Sequence, residues 1–287
     1  MSSSKPLVLV LVLVLVLGIV IDPSSANADG FALERLYPSA PGGGWIVMDD
    51  LGMHGGFGGA ISLTGGYARQ PLAPTVDDEA FMSIGLAASY DRFRVYLDLP
   101  SPLAVKGAGA SMDIGDAPDL IADPRLGFDA RLLGGAHDPF RLGLGAQIIF
   151  PNGTRADYVS DETMRAMFRL LFAGDAGKFT WAAHAGLHLR TQWEGPEFIF
   201  GAAAGVRLPI GEVKRWAFVV GPEVYGETAL RHSATGVEGL LSMRFEGVAE
   251  DAPHLRFKLG FGPGFDPSFG TPSFRLVFSV ELFAHAH

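Results

Sequence analysis

Twelve cationic side chains recur at alternate positions of short apolar segments: Arg94, Arg125, Arg131, Arg141, Arg165, Arg169, Arg190, Arg207, Arg244, Arg256, Lys258 and Arg275. Seven carboxylates share that face: Asp98, Asp129, Glu223, Glu227, Glu238, Glu246 and Glu281. A guanidinium is planar and pairs bidentately, so arginines among carboxylates build either a selective anion site or a cross-linked ion-pair network. Lining a pore, such a face attracts anions and repels cations. Arg94, Arg125, Arg131, Arg141, Arg165, Arg169, Arg190, Arg207, Arg244, Arg256, Lys258 and Arg275, with Asp129 and Glu223, are the expected selectivity residues. The alternative is a network that plugs a narrow interior and conducts nothing.

Other chemistry has less support. His184 and His188 share one face four residues apart, about 13 Å along a strand, which is too far for one shared metal ion. They read as polar lining, and no cofactor is expected. Acidic residues crowd three connectors: Asp77, Asp78 and Glu79; Asp113, Asp116, Asp119 and Asp123; Asp157, Asp161 and Glu162. Oxygen clusters can hold divalent cations, but EF-hand spacing is lacking, so solvated loops are expected. There is no Gly-x-Ser-x-Gly elbow. His232-Ser233 is the remaining pair for a membrane-embedded hydrolase, and an enzyme is not expected. A net charge of -9 argues against nonspecific nucleic-acid binding.

The elements that position the charged face are strands. In 178–190, Phe179, Trp181, Ala183, Ala185, Leu187 and Leu189 alternate with Thr180, Ala182, His184, Gly186, His188 and Arg190. Alternate residues of a strand face opposite sides of its sheet. The same period governs Leu126–Leu132, Phe140–Ile148, Leu255–Phe261 and Phe274–Leu282. Twelve strands follow: 54–67, 80–90, 93–100, 124–133, 140–150, 163–173, 178–190, 197–208, 215–227, 236–247, 254–262 and 273–283. Most are near the 9–11 residues of a membrane-crossing strand. The first connectors alternate between long (68–79, 101–123, 151–162) and short (91–92, 134–139, 174–177), as short periplasmic turns and longer external loops would.

The expected fold is therefore all-β, an up-and-down antiparallel transmembrane β-barrel of about twelve strands. A closed barrel of that size with a purely apolar interior would leave a void, so the greasy face should meet lipid and the arginine face the lumen. Lys5, the apolar run Leu7–Ile21 and Ala26-Asn27-Ala28 read as a signal peptide over 1–28. Residues 29–52, broken by Pro38, Pro41 and Gly42-Gly43-Gly44, are a lead-in, a lumen plug or a further strand. The barrel is placed at 53–284, with a C-terminal extension at 285–287. The outer membrane is the expected location. Its lipid and lipopolysaccharide, the barrel assembly machinery and a small solute are the expected partners.

Several short motifs carry a resemblance. They are Phe31-Ala32-Leu33-Glu34-Arg35 with Pro38, the segment Gly56–Tyr67, the run Arg125-Leu126-Gly127-Phe128-Asp129-Ala130-Arg131, Phe150-Pro151-Asn152-Gly153, and Val219–Tyr225. Together they resemble barrel-forming outer-membrane proteins of myxobacteria, the N-terminal barrel of the outer-membrane protein A family. The resemblance implies a bacterial outer-membrane barrel. The peptidoglycan-binding domain that often follows such barrels has no counterpart before His287. Many barrels close on a terminal Phe, whereas here Phe283 is followed by Ala284-His285-Ala286-His287.

Overall fold

A computed structural model describes residues 32, 34–107, 111–112, 121–152, 158–190, 195–211, 215–231, 234–247, 254–267 and 270–285. The expected signal peptide, His232-Ser233, Asp113, Asp116, Asp119 and Asp157 lie outside the described residues.

Fourteen strands form one sheet: β1 Phe57–Leu72, β2 Val76–Tyr90, β3 Phe93–Lys106, β4 Ser111–Met112, β5 Arg125–Leu133, β6 Arg141–Ile149, β7 Arg165–Ala176, β8 Phe179–Leu189, β9 Glu197–Ile210, β10 Trp216–Ala229, β11 Thr235–Gly247, β12 Leu255–Gly262, β13 Gly264–Pro267 and β14 Phe274–His285. The two-residue β4 only borders β3. β13 continues β12 along β11 after Pro263. The other strands pair antiparallel with their neighbours, β10 joins β11, and β14 pairs with β1 from Gly58↔His285 to Arg69↔Phe274. The result is a closed twelve-strand barrel, and closure leaves no long edge for another chain to pair with.

The two faces differ as the alternation requires. Outward residues such as Ile61, Leu86, Leu187, Phe257, Phe278 (49% exposed) and Leu282 (59%) lie open on the barrel wall. On the opposite face of the strands Arg125, Asp129, Arg169, His188, Glu223, Arg244, Arg275 and Glu281 are buried. Water cannot be the solvent of such an outside; hydrocarbon can. Aromatic rings, among them Phe57, Tyr90, Phe93, Phe140 and Phe179, sit exposed near strand ends, as interfacial anchors do.

Two strand boundaries depart from the sequence expectation. The connector read as 68–79 is a tight turn at 73–75, because β1 and β2 continue as a polar hairpin. Val76 packs with Val105, Leu72 lies against them, and the Tyr67 hydroxyl donates to Asp78. β3 runs on through Pro100 and Pro102 instead of stopping at 100. Its pairing with β5 ends at Asp98↔Arg125 and β4 joins only from Val105, so between those points one side of β3 is an edge, where a missing N–H costs no ladder bond. Long connectors nevertheless gather at one mouth, at 107–124 and 150–164. Two-residue turns at 91–92 and 177–178 lie at the other.

Residues 34–53 pair with no strand. They run through the barrel, where Trp45, Ile46, Val47 and Met48 form one cluster with Leu36, Phe81, Ala182, Ala203, Val219, Tyr225, Leu240 and Val277. Leu51 and Met53 pack against Leu171. The strand face makes room with glycines. A Cβ at Gly201 would run into the Met48 methyl, and one at Gly260 into Ile46 Cδ1.

Candidate functional site: the filled lumen

The inward residues hold the threaded segment mainly by its backbone. The Glu223 carboxylate accepts the N–H groups of Ile46 (2.8 Å), Val47 (2.9 Å) and Met48 (3.3 Å). Lys258 donates to the Trp45 carbonyl at 3.0 Å and pairs with Glu281 at 2.7 Å. Arg256 donates to the Gly43 carbonyl at 2.9 Å while pairing with Glu246 (2.8 Å) and Glu281 (3.0 Å). Arg244 donates to the Gly44 carbonyl and pairs with Glu246 at 3.1 Å. Arg131 donates to the carbonyls of Leu51 (2.9 Å) and Met53 (2.6 Å). An irregular strand of peptide in a buried interior needs partners for its amides and carbonyls, and these side chains supply them.

Charge pairing does the rest. Asp49 of the segment sits between Arg94 (2.8 Å) and Arg169 (2.9 Å), both of which also face Asp129 (2.6 and 3.6 Å). Arg35 spans Glu197 (3.1 Å) and Glu227 (2.9 Å). Glu34 meets Arg275, which also pairs with Glu238 at 2.7 Å. Outside the segment, Arg125 pairs with Asp98, Arg165 with Asp123, and Arg190 with Asp161 and Glu197. Arg141 pairs with Asp175 at 2.7 Å. Arg207, with its side chain 31% exposed, reaches Asp175 and Glu246 only at 3.5 and 3.9 Å.

All fourteen residues singled out from the sequence therefore line the interior, and each has a polar partner there. The expectation of a net basic lumen changes, because it counted carboxylates at a subset of strand positions. Glu34 and Asp49 come from the segment, Asp123 and Asp161 turn in from connectors, and Glu79, Asp175 and Glu197 add to the wall. Burying an unpaired charge costs several kcal/mol, which is why each arginine has found a carboxylate or carbonyl.

Asp161 shows the balance directly. Burial alone would raise its carboxyl, but Arg190 and Arg165 outweigh it and hold the group well below the usual carboxylate range. His184 and His188 do not act together. His188 Nδ1 lies 3.1 Å from Glu197, and its ring meets Tyr37 edge-on at 5.6 Å. His188, Glu197 and Glu227 offer three potential ligand atoms within 4.8 Å. The cation set among their carboxylates is the Arg35 guanidinium. Arg35, Asp49 and Glu197 are among the interior residues the sequence reading left out.

The two mouths differ. At the mouth with the short turns a vestibule of about 850 Å³ opens, lined by His54, His137, Arg141, Asp175, Lys178, Arg207, Glu246 and Arg256 among others. Beside the segment itself the cavities are only about 10 Å³ near Trp45 and Glu223, and about 20 Å³ near Arg35 and Tyr225.

No protein-family model matches this chain, and no curated protein does. Among solved structures, an outer membrane channel from Pseudomonas putida F1 superposes with a TM-score of 0.56 at 11% identity, covering 81% of this chain and 96% of that one. LpxR from Salmonella typhimurium gives a TM-score of 0.45 at 10% identity, over 77% and 99% of the two chains. The fold is that of the bacterial outer-membrane β-barrels. The lipid-facing belt and the charged interior of this chain belong to that architecture.

Proposed function

We propose that this barrel is an outer-membrane channel for small solutes, sealed by its own N-terminal segment and anion-favouring once that segment withdraws. The observation that carries the reading is the path of residues 34–53 through the lumen. Glu223, Lys258, Arg131, Arg244 and Arg256 hold its backbone there. Withdrawal removes Glu34, Asp49 and Asp50 against a single Arg35, so the wall left behind is more basic than the filled lumen. Arg94, Arg169, Arg131 and Lys258 each lose a partner and face water. A basic, narrow passage concentrates anions.

Magnitudes favour a seal that is tight at rest. Trp45, Ile46, Val47 and Met48 are buried, and returning four such side chains to water costs roughly 6–12 kcal/mol at about 1.5–3 kcal/mol each. At about 1.4 kcal/mol per decade, that keeps spontaneous opening below about one in ten thousand. The reading includes insertion by the barrel assembly machinery and contact with lipopolysaccharide, and it assigns no catalysis.

The test is conductance in planar bilayers of the refolded chain and of a chain lacking residues 34–53. Folding of both is checked by the mobility shift of unheated barrels. A silent intact chain, with steady steps and an anion-side reversal potential for the shortened one, supports the channel. A folded, silent shortened barrel favours the second reading, an envelope barrel whose ion pairs serve structure alone.

A further inference from the structure

The strand register brings one histidine and two carboxylates together on the inner wall. His188 of β8 lies directly opposite Glu197 of β9, and Glu227 of β10 lies opposite Ile199, two residues further along β9 on the same face. Opposed side chains of neighbouring strands start about 4.5–5.5 Å apart and diagonal ones about 7–8 Å, so three inward side chains on consecutive strands can meet at one point. Here they do. His188 Nδ1 lies 3.1 Å from Glu197 Oε2 and 3.8 Å from Glu227 Oε2, and one ligand atom from each of the three residues falls within 4.8 Å of the others. Ligands about 2.1 Å from one tetrahedral ion stand about 3.4 Å apart, between those first two distances.

The cluster suits a cation, and only part of it is in use. All three side chains are buried. Glu197 Oε1 accepts from Arg35 and from Arg190, each at 3.1 Å, and Glu227 Oε2 accepts from Arg35 at 2.9 Å. Glu197 Oε2 and the two ring nitrogens of His188 make no aligned hydrogen bond among the described residues. Buried polar atoms are rarely left so. An imidazole lone pair beside carboxylate oxygens is a donor set for a metal ion, and a guanidinium cannot use the nitrogen. A cavity of about 20 Å³ adjoins Arg35 and Glu227, room for the one water that completes the coordination.

We propose that His188, Glu197 and Glu227 form a site for a transition-metal ion of the zinc class, which Arg35 of the threaded segment occludes. An ion there takes His188 Nδ1, Glu197 Oε2 and Glu227 Oε2, and leaves Arg190 on Glu197 Oε1. It cannot share Glu227 Oε2 with Arg35, because two cations would then stand within about 5 Å in a buried interior. Metal and seated Arg35 therefore exclude each other. Imidazole with two carboxylates selects Zn²⁺ and its neighbours over Ca²⁺ and Mg²⁺, which take oxygen ligands alone. The three residues lie toward the mouth with the long connectors, the outer one in barrels of this kind. A bound ion works there against the Arg35 clamp. The site belongs to the wall and stands whether or not the emptied barrel conducts.

The test compares the refolded full chain with Arg35→Ala and with Arg35→Gln, which keeps an amide for the carboxylates should the alanine variant not fold. Folding is checked by the mobility shift of unheated barrels. Zn²⁺ is titrated against a chromophoric chelator, with excess Ca²⁺ as competitor. One Zn²⁺ per folded variant chain is expected, bound at least about tenfold more tightly than by the intact chain, whose competent state is rare. Adding His188→Ala to either variant should abolish that binding. The chain holds eight histidines, so Zn²⁺ binding that His188→Ala leaves unchanged is adventitious and overturns the site. A folded Arg35→Ala or Arg35→Gln barrel that takes up no Zn²⁺ does the same. Displacement by Ca²⁺ overturns the metal class, and equal affinity for the intact chain overturns the competition with Arg35.

Discussion

The two mouths of the barrel are closed to different degrees. At the outer mouth, Arg35 is clamped by Glu197 and Glu227 and the neighbouring space is about 20 Å³. At the inner mouth a vestibule of about 850 Å³ reaches up to Asp50, Arg244 and Arg256. Among the described residues the seal is therefore one-sided. A solute from the periplasmic side meets an open antechamber before it meets the segment, whereas at the other mouth the described residues beside the segment are ion-paired. Opening has to undo the outer clamp and the backbone grip of Glu223, while the vestibule already stands open.

The largest effect should follow from removing that grip. Glu223→Ala leaves three amides in the interior without their acceptor, at about 1–3 kcal/mol for each buried donor left unsatisfied. Denaturant unfolding of the refolded barrel should show that loss, and conductance should appear; an unchanged midpoint would mean the segment is held elsewhere. Next, Gly260→Leu drives a side chain into the place of Ile46. The barrel should still shift on unheated gels while the current flickers open, which separates the seal from the wall. A smaller effect is expected at the outer clamp. Arg35→Ala should make Tyr37→Cys reactive toward an external maleimide, with little current, because Trp45–Met48 remain in place. If Arg35→Ala conducts as freely as the shortened chain, the outer clamp is the whole seal and the comparison of mouths collapses.

The smallest effect concerns acid. Asp161 is held below its ordinary range, so the stability it adds is fully present above the unfolded value near 3.9 and is lost only as pH falls through the lower folded value. Asp161 should keep its bond to the Ala32 amide unchanged between pH 7 and pH 5. Hydrogen exchange at the Ala32 amide reads this, and a rise in exchange across that window would count against the pairing.

Much of the wall was legible in the sequence because its rules are local. Leu255, Phe257, Leu259 and Phe261 against Arg256, Lys258 and Gly260 state both the strand and its two faces. The arginine positions followed from the same alternation. The threaded segment was legible only as one of three alternatives, beside a lead-in and a further strand, for a physical reason. Its holders, Glu223, Lys258 and Arg131, bond to amides and carbonyls, which every residue has, so nothing in Pro38–Met53 marks what they will meet. One signal was present: an excess of inward arginines in a chain of net charge -9, beside an unplaced Asp49-Asp50 pair. Strand ends failed for another reason. Beyond the lipid, β1 and β2 continue with Arg69, Asp77, Asp78 and Glu79, and polar residues read as loop although the ladder goes on.

Because the wall grips main chain rather than side chains over Gly43–Met53, it has few means of telling one extended peptide from another of similar girth. Mutational drift in that stretch is then constrained chiefly at Asp49 and at the residues facing Gly201 and Gly260. The emptied barrel becomes a receptor for added peptide: a synthetic 43–53 fragment with Val47 and Leu51 exchanged should restore blockade of the shortened chain nearly as well as the native one, while one carrying Asp49→Asn should not.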